Sequence, residues 1–261
     1  MTEHTAAHAR TLAELYDAPE ILRVVNVWDA VSCKVVSELS GTKAIATAGH
    51  GIAASHGYPD GEKISLDLMI AALERIVRVT NLPVSADLDG GFGDSAEAVR
   101  RAIGVGVSGA NIEDQMRSLT DSAQLMRNAV AAGEREGVAF VLNARTDALI
   151  KGGDRPRDEA IRDAIERGRA YLEAGAHCVF VPGVVSGDEA TQLVEGIGQR
   201  KVSVIGLPGA LSAAEYEARG VARISYGPMP QNVALTALKR LGESLLDDGV
   251  IPEDTEKLNN F

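Results

Sequence analysis

The sequence predicts an α/β fold: a single (β/α)8 barrel of the TIM type, with an extra helix before it and a helical tail behind it. Three observations lead there. Short β-branched runs alternate with helical patterns along the chain. The runs are nearly continuous in apolar character, as in parallel strands covered on both faces. Eight such strand–helix pairs fit into 261 residues, close to the ~250 typical of these barrels. A doubly wound sheet would also alternate, but no strand–Gly-x-Gly-x-x-Gly–helix segment opens the chain. No linker, low-complexity block or repeat divides it, so residues 1–261 read as one domain.

The elements follow in order. Residues 1–20 read as a helix, with an apolar stripe in Thr11-Leu12-Ala13-Glu14-Leu15-Tyr16. Strands are predicted at 23–28, 44–48, 83–87, 109–113, 138–144, 178–181, 202–205 and 222–226. Helices are predicted at 30–40, 65–79, 95–103, 121–136, 157–174, 188–198, 213–220 and 232–246. Several open on capping chemistry, as in Asp94-Ser95-Ala96-Glu97 and Ser212-Ala213-Ala214-Glu215. Several close on glycine just before the next strand, as in Ala174-Gly175-Ala176 and Arg219-Gly220-Val221. The acidic tail at 247–261, interrupted by Pro252, packs on a partner subunit or frays.

Composition narrows the function. Apolar residues make up 45% of the chain, enough for a sizeable core, and aromatics only 4%. The net charge of −11 argues against nucleic acid or an anionic membrane as partner. It says little about a small acidic substrate, which responds to local charge. Cys33 and Cys178 are the only cysteines, both in apolar surroundings and without metal-ligand spacing. That points to a reducing, cytoplasmic setting. Residues 1–10 are polar and no apolar run is long enough to span a bilayer, so a soluble protein is expected.

The chemistry gathers around Val84-Ser85-Ala86-Asp87-Leu88-Asp89-Gly90-Gly91-Phe92-Gly93-Asp94. Two carboxylates two residues apart at a strand end point to one side, and glycine-rich chain behind them lets the backbone turn tightly. Such a pair suits a hard divalent cation; a solvated Asp-rich turn is the alternative. Active sites of such barrels lie at the C-terminal strand ends. Three neighbouring ends carry Asp87 with Asp89, then Glu113, then Arg145.

Several segments carry a family resemblance. Asn26-Val27-Trp28-Asp29-Ala30, Gly57-Tyr58-Pro59-Asp60, Ala86-Asp87-Leu88-Asp89-Gly90-Gly91-Phe92-Gly93, Ile112-Glu113-Asp114-Gln115, Asn143-Ala144-Arg145-Thr146-Asp147 and Phe180-Val181-Pro182-Gly183 occur in that order. From about residue 23 to 246 the chain resembles the isocitrate lyase/phosphoenolpyruvate mutase superfamily. The resemblance implies a barrel that binds Mg²⁺, with Mn²⁺ as an alternative, and a small-molecule 2-oxo acid or its enol form. It also implies a homo-oligomer, a tetramer or dimer. By position Asp87 would hold the metal, with Asp60, Asp89 and Glu113 acting mainly through its waters. Arg145 would grip the substrate carboxylate, backbone groups of Ala48 and Gly49 would meet substrate oxygens, and Trp28 would wall the pocket. Asn143 falls in a matched segment and is a candidate for substrate binding.

The departures restrict the activity. Family lyases that cleave isocitrate or methylisocitrate carry Lys-Lys-Cys-Gly-His after the strand-four Glu-Asp. Here the stretch reads Glu113-Asp114-Gln115-Met116-Arg117-Ser118-Leu119-Thr120-Asp121-Ser122, with neither lysine nor cysteine. The Lys-Thr-Asn-Ser-like segment of phosphonate-forming mutases is missing too, and a serine common at the second strand's end is Ala48. The implied activity is a Mg²⁺-dependent lyase acting on a C–C bond of a small 2-oxo acid through an enolate, either an oxaloacetate decarboxylase-like or a retro-aldol enzyme. The rivals are a C–P bond enzyme and a barrel that binds a 2-oxo acid without turnover.

Outside the resemblance, His50 offers a ring suited to acid–base work, or a packing histidine. Tyr226, near the last strand, could reach the pocket. Asp60, after Pro59, could equally cap its loop, and Arg145 could be a buried partner of Asp147. Ser118, Thr120 and Ser122 are lid contacts or an ordinary helix-cap cluster. Cys33, Cys178, His56 and His177 read as structural.

Overall fold

A computed structural model describes residues 2–259. The sheet starts with β1 (Leu22–Val24) and β2 (Asn26–Val27), then β3 (Ile45–Thr47), β4 (Val84–Asp87) and β5 (Gly109–Glu113). It continues through β6 (Val141–Arg145), β7 (Cys178–Phe180), β8 (Val202–Ile205) and β9 (Arg223–Ser225). All pairings are parallel, in the order β1-β9-β8-β7-β6-β5-β4-β3-β2. The two ends of that order are halves of one stave, divided at Val25. Leu22 to Val24 pair with Arg223 to Ser225, whereas Asn26 and Val27 pair with Ala46 and Thr47. The predicted first strand therefore closes an eight-stave barrel by bonding left with one half and right with the other.

Ten helices accompany the strands among the described residues: α1 (Thr2–Asp17), α2 (Ala30–Ser37), α3 (Gly49–Ser55), α4 (Leu66–Val77) and α5 (Ser95–Gly104), then α6 (Leu119–Arg135), α7 (Arg157–Glu173), α8 (Gly187–Ile197), α9 (Ala213–Glu217) and α10 (Met229–Asp247). The predicted boundaries at 109–113 and 202–205 coincide with β5 and β8. β6 starts three residues later than predicted, because Phe140 still bonds within the turn, from its amide to the carbonyl of Val138. α3 was not predicted, since its glycines are poor helix formers. Met1, the predicted first residue of the leading helix, and residues 260–261 of the predicted tail lie outside the described residues.

α1 plugs the N-terminal mouth of the barrel. Its Thr5, Ala9, Leu12 and Tyr16 are buried at spacings of four, three and four, one face of a helix. Leu12 and Tyr16 pack with Leu22, Val24, Ala46 and Cys178. Elsewhere small residues let helices approach the sheet, as Ala98 and Ala102 of α5 do, buried beside Val99 and Ile103. α10 differs. The sequence casts its residues as the eighth covering helix, yet of the whole helix only Gln231 is buried. Gln231 donates to the Gly51 carbonyl, and beyond it the helix leaves the barrel with Val233, Leu235, Leu238 and Leu246 in solvent. Residues 248–259 form turns and irregular chain, so the helical part of the tail ends with α10.

One buried carboxylate fixes the strand ends that matter. Asp114, fully buried just past β5, accepts from the amides of Met116 and Asp147, from the Tyr171 hydroxyl at 2.6 Å and from Arg167 Nη1 at 3.2 Å. It thereby joins β5, β6 and α7. Removing one partner of such a buried pair strands the other's charge. Asp114→Ala should lower unfolding stability by about 3–5 kcal/mol in denaturant titration, and a loss below about 1 kcal/mol would mean that the network is not needed.

Candidate active site

The C-terminal ends of the strands surround a cleft of about 380 Å³. Register puts the key residues side by side: Asp87 pairs with Asn111, and Glu113 with Arg145. The Asp87 and Asp89 carboxylates converge beside Gly49. A Cβ built on Gly49 would lie 3.1 Å from Asp87 Oδ2 and 3.0 Å from Asp89 Oδ1, so the space holding both oxygens exists because residue 49 has no side chain. The Gly49 amide donates to Asp87 Oδ2 at 2.9 Å.

On the next wall Arg145 spans two carboxylates, with Nη1 2.8 Å from Glu113 Oε2 and Nε 2.8 Å from Asp147 Oδ1. Lys151, from the loop after β6, reaches the same pair, 3.1 Å from Glu113 Oε1 and 2.6 Å from Asp147 Oδ2. Arg145 thus serves both as a buried ion-pair partner and as a wall of the cleft. Three further loops frame the opening. Glu62 accepts from the Phe92 amide and from Gln115 Nε2, and Gln115 accepts from Arg117 Nη2. Five of the six non-glycine residues with positive φ among those described are in these loops: Glu62, Asp89, Phe92, Gln115 and Met116. Backbone held in such conformations costs energy and clusters at ligand sites.

Burial and mutual repulsion shift the acids. Burial, and then the charges of Asp87 and Glu113, push the Asp89 carboxyl up to about 8. Asp87 is raised by burial against the opposing pull of Arg145 and the Gly49 amide. Glu113 is raised by burial, which Arg145 partly offsets. Burial alone would lower Arg145, but the Glu113 and Asp147 carboxylates reverse this and hold it above its ordinary value. An oxygen-only donor set, acidic and short of positive charge, is chemistry that fits a hard divalent cation. Among the described residues no three His, Cys, Asp or Glu side chains form a ready-made cage. An ion that keeps most of its waters fits such a set.

Ala48, His50, Asp60, Asp87, Asp89, Glu113 and Arg145 all line the cleft. His50 Nδ1 lies 3.3 Å from Asp60 Oδ2 at the rim, where both side chains are about half exposed. Five residues expected to contact substrate have other partners or positions in this structure. The Gly49 amide is committed to Asp87 and that of Ala48 to the Val27 carbonyl. Trp28 packs against the core and does not border the cleft. Asn143 is fully buried inside the barrel, donating to Asn111 Oδ1 at 2.8 Å and accepting from Ser203. The Tyr226 ring packs over Gly206, where a Cβ would meet it at 2.6 Å.

The serine cluster after β5 is helix-capping chemistry: Ser118 accepts from the Asp121 amide, and Ser122 donates to the Arg117 carbonyl. Among the cleft residues that sequence reasoning did not assign to the site are Lys151, Asn26, Asn111, Phe180 and Ser225. For Lys151 the only available signal was a lysine shortly after a strand end that carries two charged residues. Cys33 and Cys178 are free and buried, and no helix among the described residues is long and apolar enough to cross a membrane.

Residues 12–246 match the family described as phosphoenolpyruvate phosphomutase. The chain is 31% identical to 2,3-dimethylmalate lyase of Eubacterium barkeri over 94% of its own length and 87% of the relative's. Its fold superposes on oxaloacetate acetylhydrolase in complex with the product oxalate with a TM-score of 0.86, at 27% identity, covering 96% and 91% of the two chains. A phosphoenolpyruvate phosphomutase from Streptomyces platensis subsp. rosaceus gives a TM-score of 0.80 at 26% identity, covering 96% and 92%.

The raised Asp89 carboxyl has a measurable consequence. A group whose folded value is raised stabilises fully below its unfolded value near 4, and loses that contribution as pH rises to about 8. Asp89→Asn removes this dependence, and asparagine tolerates the φ of 46° at this position. With a chelator present, the variant's advantage over the parent in thermal unfolding should grow from pH 5 to 8, on the order of 1 kcal/mol per pH unit, and then level off. A constant difference across that range would remove Asp89 from the repelling cluster.

Proposed function

Because the chain belongs to the phosphoenolpyruvate mutase/isocitrate lyase superfamily of lyases and mutases, we propose that it is a Mg²⁺-dependent lyase that breaks a C–C bond of a small 2-oxo acid. The observation that carries the reading is the convergence of Asp87 and Asp89 beside Gly49, with Glu113 and Arg145 on the adjoining wall. Asp87 would hold the ion, and Asp60, Asp89 and Glu113 would hold its waters; Mn²⁺ suits the same oxygen set. When bound, the ion supplies Lewis-acid stabilisation of the negative charge that develops on the 2-oxo oxygen as the bond at C3 breaks.

The chain's own groups do the rest. Arg145, fixed by Glu113 and Asp147, presents a positive wall to the substrate carboxylate. The strand-end floor holds the carboxylates in place without reorganisation. In a decarboxylation the electron pair of the broken C–C bond stays on the 2-oxo fragment as an enolate, and a proton must be returned to C3. His50, at the rim with Asp60 beside it, is the group we assign to that return. Without a cysteine in the segment after β5 there is no thiol acid of the kind found in isocitrate-cleaving relatives.

The matched family description favours a second reading, a C–P bond enzyme. The two are separated by carbon-13 NMR of the protein with Mg²⁺, incubated with oxaloacetate or with phosphonopyruvate, each beside a metal-only control. We expect pyruvate from oxaloacetate above that control, abolished by Asp87→Ala while the fold remains intact. Product from phosphonopyruvate instead would transfer the assignment to C–P chemistry. No product from either would mean that the substrate is a different 2-oxo acid or that the barrel binds one without turnover.

We also infer a homo-oligomer, a dimer or tetramer, in the cytoplasm. The exposed Val233, Leu235, Leu238 and Leu246 of α10 support the first and two free buried cysteines the second. Light scattering behind size exclusion should return two or four times the 27.4 kDa chain, and Leu235→Glu with Leu238→Glu should reduce it. An unchanged mass in the double variant would exclude α10 from the interface.

A further inference from the structure

Two cationic side chains, Arg145 and Lys151, line the cleft, and they do not have equal structural duties. Arg145 is mostly buried, with its side chain 20% exposed, and bonds one oxygen of Glu113 and one of Asp147 at 2.8 Å each. Lys151 duplicates this from outside, with its side chain 47% exposed. Its bond to Glu113 Oε1 is 3.1 Å. Its approach to Asp147 Oδ2 is close, yet that oxygen accepts no hydrogen bond. Each carboxylate keeps a charge-assisted partner in Arg145 if Lys151 turns away, and an ammonium has three N–H donors.

The surroundings fit a mobile contact. Lys151 is followed by Gly152 and Gly153, the latter at φ +75°. Behind them the loop is anchored by Arg155, which bonds the Ala148 carbonyl and Asp163. Ile150, Pro182, Leu207 and Pro228 make much of the cleft wall apolar. A ligand that places its 2-oxo acid end at the carboxylate floor and Arg145 would find one further positive charge in Lys151.

We propose that Lys151 selects for a second carboxylate at the far end of the ligand, so that the cleft takes 2-oxo dicarboxylates over 2-oxo monocarboxylates of the same length. This rests on the reading of the cleft as a metal-assisted 2-oxo acid site. The ammonium leaves Asp147, keeps or exchanges its bond to Glu113, and closes on the distal carboxylate as a charge-assisted hydrogen bond.

The test is calorimetric binding with saturating Mg²⁺, using 3,3-difluorooxaloacetate, a four-carbon 2-oxo dicarboxylate with no hydrogen at C3, and 2-oxobutyrate, its monocarboxylate counterpart in length. The parent protein should bind the dicarboxylate about tenfold or more tightly. Lys151→Met should erase that preference while leaving 2-oxobutyrate affinity within about twofold, and Lys151→Arg should restore part of it. Equal weakening of both ligands in Lys151→Met would overturn the proposal, because Lys151 would then only organise Glu113 and Asp147. A parent that binds both ligands equally would overturn it too and leave the metal-site reading standing. A parent that binds neither with Mg²⁺ would overturn both.

Discussion

Carboxylates held close together at the ends of adjacent parallel strands repel one another, and this constraint governs the rest of the molecule. Burial of Asp87, Asp89 and Glu113 is unfavourable for charged groups unless opposite charge or fixed dipoles answer it. The fold answers with the Arg145 guanidinium, the Lys151 ammonium and the Gly49 amide. Asp114 keeps the answer in register by bonding the chain past β5 to that past β6 and to α7. The balance is incomplete at Asp89, whose neighbours are mostly acids. A site left short of positive charge is less stable by itself and readier for a cation, the usual exchange of stability for function.

Much of this was legible in the sequence because it depends on period and position. Strands buried on both faces show as unbroken β-branched runs, which is why 109–113 and 202–205 could be read to the residue. Residues at strand ends then inherit their place from barrel geometry, as Asp87, Glu113 and Arg145 did. What could not be read depends on contacts between distant segments. Asn143 and Arg145 are on one strand with the same facing, yet Asn143 is one layer deeper, inside the barrel, and bonds Asn111 and Ser203. Lys151 belongs to a loop without periodicity. α3 forms despite its glycines, and its first residue, Gly49, donates its amide to Asp87 at the end of the next strand.

α10 illustrates the other limit. Its amphipathic pattern is weaker than that of α4, α5, α6 or α8, and a pattern records that a face needs a partner without saying which. Here the barrel does not supply one beyond Gln231. The same applies to the serines after β5, whose hydroxyls suit a ligand or a helix cap equally well until the Asp121 amide is seen to be the partner of Ser118.

The division of the first stave at Val25 has a kinetic meaning. The seam between β1 and β9 joins residues roughly 200 positions apart, as in Leu22 with Arg223, so the ring cannot shut until almost the whole chain is available. Pairings of that separation carry a large closure entropy before any contact rewards them. Until then the nascent sheet ends in two unpaired parallel edges, the feature that invites pairing with other chains. Once the ring is shut, α1 is tied to the seam, because the Tyr16 and Ala222 carbonyls both accept from Arg200.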